Sequence, residues 1–284
     1  MTPTGNNDDA EIRAFLSEGL SVSRAAEVRA KQLAEKAQRA TSVWTQLTDF
    51  YTKRWAAHLA SLFIREAAYF HSLENSADER WPTLAGLKKD SLERTKAALR
   101  KFPADFEHAC NEAKLKLDST SRDPRYTIRN FIRIEVDEDS LQARVTPRDG
   151  ERVDIPVDVP AIIEHLVAED ARLFQRDFDA SRFLKSLLTA YQAALREDTR
   201  ESEPRGSGDE RIPLRRVTAR MSKNLSRFRL DEFNVDLATA IRENHLTVDE
   251  LQLQFFHTRY ERQGLLLYGM EGSGYVGFIS FRKA

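Results

Sequence analysis

No glycine or proline occurs between Leu20 and Arg80 of this 284-residue chain. Inside that run, apolar and aromatic residues return at three- and four-residue steps: Leu33, Ala37, Ala40, Trp44, Leu47, Tyr51, Trp55, Leu59 and Leu62. Such spacing draws one continuous stripe along a helix. A helical run of this length exceeds the usual globular helix and predicts a helical hairpin or a short coiled coil. The break is expected at residues 74–78, with Pro82 beyond it. A second helical stretch follows, in which Leu92, Leu99, Phe106 and Ala113 stand seven apart, the spacing of a partner seam. Pro103 either kinks that stretch or opens a new helix in its first turn, where the missing N–H costs nothing. Residues 11–117 therefore read as helices folding back on one another, a helical unit over residues 1–120. The aromatics of the stripe serve either an internal core or a dimer seam.

Composition agrees with long solvated helices. Charged residues make up 31% and hydrophobic residues 41%, and 44 Lys+Arg balance 45 Asp+Glu. That balance does not suit a protein that coats nucleic acid with its whole surface. One cysteine, Cys110, excludes an intramolecular disulfide and fits a reducing, cytoplasmic setting. The first residues lack the basic and apolar regions of a signal peptide. The most apolar helical stretch, residues 55–73, is interrupted by His58, Arg65, Glu66 and His71, so no membrane association is expected.

The pattern changes after Asp123-Pro124. Residues 126–136 alternate as a strand does, residues 141–146 read as a second strand, and Asp149-Gly150 is a hairpin turn into a third at 153–157. Two helical patterns follow, carried by Ile162, Ile163, Leu166, Val167 and Phe174, then by Phe183, Leu184, Leu187, Leu188, Tyr191 and Leu195. Residues 123–197 thus predict a small antiparallel sheet with two helices. Residues 198–211 contain no apolar residue and combine Pro204 with Gly206-Ser207-Gly208, a flexible linker. In the C-terminal unit, residues 212–284, helices are expected at 213–228 and around Leu237, Ala240 and Ile241. Thr247 and Glu250 form a capping box that opens a third helix closed by Gly264. A hairpin of residues 265–270 and 275–281 completes a winged-helix-like order. A rival reading takes the alternation Leu251-Gln252-Leu253-Gln254-Phe255 as a strand. The fold class is mainly α with α+β.

The strongest candidate surface is basic. Residues 211–230 hold seven Lys and Arg and no acid. On a helix, Arg216, Arg220, Lys223 and Arg227 line one face, with Arg215 and Arg229 beside them, while Leu214, Val217, Met221, Leu225 and Phe228 line another. Such a stripe suits phosphate contacts or an acidic protein surface. One acidic surface lies in the chain itself: residues 131–180 hold 13 acidic and 6 basic residues.

Other constellations are weaker. Glu135, Asp137 and Asp139 alternate at a strand end and are candidates for a Mg²⁺ site of a metal-dependent nuclease, or form an ordinary acidic turn. The GxGxxG match at residues 272–277 lacks a following helix and reads as a turn. His71 with Glu74, and His108 with Glu112, read as surface pairs. Cys110, among Phe106, Ala113 and Leu117, reads as a buried, inert thiol. Residues 18–26 look like the opening of a helix-turn-helix without its second half, and reduce to a capped helix start at Ser21 or Ser23.

These residues favour a non-catalytic binding or assembly subunit of a multi-protein complex. Its N-terminal helices would hold a protein partner or self-associate, and its basic helix would meet DNA, RNA or an acidic partner. No cofactor is implied. A direct DNA- or RNA-binding protein, or a nuclease using the acidic cluster, are the alternatives.

Overall fold

The computed structural model describes residues 6–201, 211–270, 272 and 274–283. It is mixed α/β, with two four-stranded antiparallel sheets among the described residues. The chain divides into two compact units, Met1–Lys96 and Ala97–Ala284. This division differs from boundaries at 120 and 198–211. Residues 198–201 finish a helix, and 202–210 lie outside the described residues.

The first unit begins with α1 (Asn6–Thr52), followed by α2 (Ala56–Arg65), α3 (Ala67–Asn75) and α4 (Trp81–Leu99), whose last turn passes into the second unit. The expected continuous stripe breaks early. Arg54 takes φ 58°, a left-handed conformation that ends α1. Trp55 then packs on Phe50 and His58, with ring centroids at 6.1 and 4.7 Å. The reversal clusters Leu59, Leu62 and Phe63 of α2 with Val43 and Leu47 of α1. From Trp44 onward, therefore, the stripe serves an internal core through Trp44, Leu47, Leu59 and Leu62, while Tyr51 stays exposed. The expected break at 74–78 falls between α3 and α4, where Ala77 has φ 51°. α1 starts at Asn6, so Ser21 and Ser23 lie inside it and cap nothing.

The second unit opens with α5 (Phe102–Glu112), whose Pro103 sits in the first turn. It is thus a new helix, not a kinked one. β1 (Arg125–Ile128), β2 (Ile132–Asp137), β3 (Gln142–Pro147) and β4 (Val153–Pro156) follow, and pair in sequence order. The single strand expected at 126–136 is a hairpin. Arg129 and Asn130 take φ 53° and 51°, the two-residue turn whose twist matches its flanking strands. Ile132, Ile134 and Val136 are buried on β2, and Tyr126 of β1 meets Phe106 of α5 at 4.9 Å. α6 (Val159–Phe174) contacts α5 and β4.

α7 (Ala180–Glu201) leads to β5 (Ile212–Pro213), α8 (Leu214–Asn224), α9 (Leu230–Arg242), β6 (Thr247–Val248), β7 (Leu251–Thr258) and β8 (Tyr275–Lys283). The sheet order is β5-β8-β7-β6. Leu184, Leu187, Tyr191 and Ala194 of α7 share a core with Leu214 and Val217 of α8, Phe233 and Leu237 of α9, and Ile279 and Phe281 of β8. The third helix expected from Thr247 does not form. Asp249 and Glu250 take φ 47° and 63°, turning β6 into β7, and Leu253 is buried where β7 pairs with β8. The alternation of residues 251–255 outweighs the capping box because β8 supplies a hydrogen-bonding edge along its length. Gly264 closes no helix. A Cβ there would lie 2.7 Å from the Val276 carbonyl oxygen, so the residue permits a close backbone approach. Residues 265–270 form a single bridge, Leu265 to Val276, instead of a strand.

Candidate interaction surfaces

The basic segment is shorter as a helix than expected. Leu225 leaves α8 with φ −117° and ψ 110°, and Phe228 packs on Phe233 of α9 at 5.9 Å. Arg227 therefore lies beyond the helix, and Arg229 sits at the start of α9. Arg216, Arg220 and Lys223 remain on α8. They are not equivalent. Arg220 pairs with Glu197 of α7 at 2.7 Å. Arg215, beside the stripe, donates to the carbonyl oxygens of Glu261 and Gly264 at 3.1 and 2.9 Å. Arg216 is half-buried, whereas Lys223 and Arg227 are exposed. Arg229 donates to both carboxylate oxygens of Asp231, and Arg211 lies over the Phe256 ring at 4.1 Å.

The acidic stretch comes beside α8, where Asp149 and Glu151 line an open cavity with Arg215, Thr218 and Ser222. Its minority arginines, on α6 and just beyond it, bind the acids of α9. Arg172 donates to Asp231 and Glu232 at 2.6 Å each, and Arg176 donates to Glu232 and Asp236. Buried Asn234 donates to Asp149 and to the Leu266 carbonyl oxygen, both at 2.9 Å, and accepts from the Tyr268 N–H. Burial pushes the Asp231 carboxyl up, but hydrogen bonds from Arg229 and Arg172 outweigh it and hold it below the ordinary carboxylate range. Asp236 is the opposite case. Burial dominates the attraction of Arg176 and pushes it up to about 6.

An open cavity of about 450 Å³ lies between the start of α7 and the α8–α9 connection. Arg182, Arg227, Phe178 and Phe228 are among its lining residues. Of its four carboxylates, Asp177, Asp179, Glu232 and Asp236, the last two are engaged by Arg176.

The carboxylate cluster is spent on arginines. Asp137 accepts from Arg144 at 2.6 Å, and Glu135 faces Arg125 at 3.4 Å. Asp139 lies in the turn after β2, off the strand that carries the other two. Among the described residues, no group of three His, Cys, Asp or Glu side chains is placed to hold a metal ion. His71–Glu74 and His108–Glu112 are exposed pairs at 3.1 and 3.4 Å. The Cys110 thiol is buried, and burial pushes it up to about 12, which suppresses the thiolate. Tyr275 of the GxGxxG match begins β8, so no helix follows the glycines.

On α1, the stripe read from sequence starts only at Leu33 and misses the residues before it. Every described side chain from residue 13 to residue 39 is exposed. Phe15, Leu16, Leu20, Val22, Val28 and Leu33 are among them, with Phe15 at 74% and Leu33 at 67% exposure. The signal was present: the stripe that starts at Leu33 also extends backwards through Ala30, Ala26, Val22, Gly19 and Phe15 at the same steps.

No protein-family model matches the chain, and no curated protein or solved structure matches it either. No helix among the described residues is long and apolar enough to cross a membrane.

Proposed function

We propose that the protein is a non-catalytic assembly subunit that engages a helical protein partner through the N-terminal half of α1. One observation carries this reading: along about 40 Å of helix, residues 13–39, every described side chain is exposed, large apolar ones among them. Helices in proteins owe most of their stability to an apolar face packed on something else. A partner that covers this face supplies what the chain does not.

The C-terminal segment supports a winged-helix-like module used for packing. Its order is helix, short strand, two helices and a strand pair (α7, β5, α8, α9, β7, β8), with β8 between β5 and β7. In base-reading relatives of the helix-turn-helix, the second helix of the pair enters the major groove. The corresponding α9 is unsuited to that. Phe233, Asn234, Val235, Leu237 and Ala238 are buried, and the acids Asp231, Glu232 and Asp236 are held by Arg172, Arg176 and Arg229.

Nucleic-acid association through phosphate contacts is a second reading, favoured by the exposed Lys223 and Arg227 next to Arg216 and Arg220. An anisotropy titration with duplex DNA and single-stranded RNA tests it. Salt-sensitive binding lost on Ala substitution of Arg216, Arg220, Lys223 and Arg227 would support it. The assembly reading is tested by a photo-crosslinking residue placed at Phe15, Val22 or Leu33 in growing cells. A discrete adduct with a polypeptide is expected from each position. No adduct from any of the three overturns it.

A further inference from the structure

We infer that the partner of the exposed α1 face is a second copy of this chain, paired antiparallel over residues 9–39; this rests on the assembly reading above. Two observations lead to it. The first is continuity. Gly19, Ala26, Leu33, Ala40 and Leu47 recur at seven-residue steps, and Phe15 and Val22 stand on the same stripe. At its C-terminal end this seam already packs helix on helix: Leu47 is 4% exposed and clusters with Leu59 and Leu62 of α2. At its N-terminal end the same seam is empty.

The second observation is charge. Residues 6–22 carry four acids (Asp8, Asp9, Glu11, Glu18) and one base (Arg13), a net of −3. Residues 23–39 carry five bases (Arg24, Arg29, Lys31, Lys36, Arg39) and two acids (Glu27, Glu35), a net of +3. A parallel pair would set acid against acid and base against base. An antiparallel pair sets each half against its complement. Centring that pair on Arg24 aligns Phe15 with Leu33 and Val22 with Ala26, and brings Arg13 level with Glu35. Flanking charges of this kind set partner choice and orientation in paired helices. Gly19 and Ala26 keep the middle of the seam small. Nothing lies within 4 Å of the point where a Gly19 Cβ would be, so a second backbone can approach there.

Sedimentation velocity of the full chain over a range of concentrations tests the inference, with two charge variants. One is Glu11→Lys with Glu18→Lys; the other is Arg29→Glu with Lys31→Glu and Lys36→Glu. All five positions lie on α1, with Glu18, Arg29, Lys31 and Lys36 on its exposed stretch, and circular dichroism checks that each variant keeps its helix. The wild type is expected to dimerise reversibly. Each variant alone now opposes like charges and is expected to need at least about tenfold more protein to dimerise. Mixing the two restores opposite charge along both halves and is expected to recover pairing. A wild type that stays monomeric at every concentration overturns self-pairing. So does a dimer that neither variant weakens, or a mixture that fails to recover. A monomer in solution that still yields crosslinked adducts of a different polypeptide in cells would remove this inference and leave the assembly reading standing.

Discussion

The first half of α1 carries an apolar stripe whose described side chains are exposed, whereas α8 carries a basic stripe whose arginines largely find oxygen within the chain. Arg220 has Glu197, and the neighbouring Arg215 and Arg229 have two backbone carbonyls and Asp231. From sequence the basic stripe reads as an outward-facing surface, whereas the apolar stripe reads as either an internal core or a dimer seam. The difference lies in what each side chain can find nearby. A guanidinium is long, carries five donors and can reach a carbonyl or carboxylate several residues away. An apolar stripe can be buried only by another element laid along it, and α2 is 10 residues long against the 47 of α1.

The largest expected effect tests whether the charges of the second unit are truly matched inside it. Asp231 is wholly buried and receives Arg172 and Arg229. Asp231→Ala leaves two partly buried guanidiniums short of a counter-charge and is expected to destabilise the fold by about 3–5 kcal/mol. Denaturant unfolding measures it. Because the folded carboxyl titrates below its ordinary range, its stabilising contribution is present above the ordinary carboxylate range. It is lost as pH falls through the folded value. An acid limb that persists unchanged in Asp231→Ala would assign acid unfolding to other groups.

The next effect separates the two halves of α1. Leu47 and Leu33 sit on the same seam, one at 4% and the other at 67% exposure. Leu47→Ala is expected to cost about 2–5 kcal/mol at any concentration, as core truncations do. Leu33→Ala is expected to cost under about 0.5 kcal/mol in dilute solution, as surface changes do. Its cost should grow with protein concentration, because only the paired state buries Leu33. Thermal unfolding of both variants over a concentration series reads the contrast directly. A Leu33→Ala cost that is large and independent of concentration would mean the stripe is already covered in the single chain.

Much of the fold was legible where one signal acted alone. The sheet strands at 141–146 and 153–157 and the Asp149-Gly150 turn follow from local pattern, while Pro103 allowed either a kink or the new helix that the structure has. Readings failed where two local signals competed and a distant element decided. Thr247 and Glu250 match a capping box, yet the strand alternation of residues 251–255 prevailed because β8 lies alongside. Asn130 sat inside an alternating run and was read as a strand residue, although Asn accepts the left-handed turn that divides β1 from β2. The ion pairs between α6 and α9 left no sequence trace, because Arg172 and Asp231 are 59 residues apart. The bare face of α1 was readable in its spacing. Its bareness was not, since exposure depends on where α2 ends.

A smaller effect belongs to Asp236, the one carboxylate of α9 that burial pushes up. A folded value of about 6 against an ordinary 3.8 means the folded state holds a proton that the unfolded chain has lost. The stabilisation this provides is full below the ordinary value and disappears as pH rises through about 6. Over that window the wild type is expected to lose on the order of 1–3 kcal/mol relative to Asp236→Asn, which has no proton to give up. Paired denaturation curves at several pH values measure the difference. Parallel profiles for the two proteins would show that Arg176 keeps Asp236 ionised throughout. Its ion pair would then match those of Asp231.

The smallest effect bears on the basic stripe itself. The Arg220–Glu197 pair is partly exposed, 31% and 42% for the two side chains. Arg220→Ala is therefore expected to cost only about 0.2–1 kcal/mol. Glu197→Ala is the sharper variant, since it releases Arg220 without removing any basic residue. If the stripe contacts phosphate, that release adds one available cation, and the logarithmic salt slope of nucleic-acid binding should steepen by about 0.9. If α8 is matched internally, Glu197→Ala leaves nucleic-acid binding as weak as before and costs only the surface pair. A steeper slope would revise the contrast between the helices. Glu197 would then be holding back a phosphate-binding residue, and α8, like the first half of α1, would present a face whose natural complement lies outside the chain.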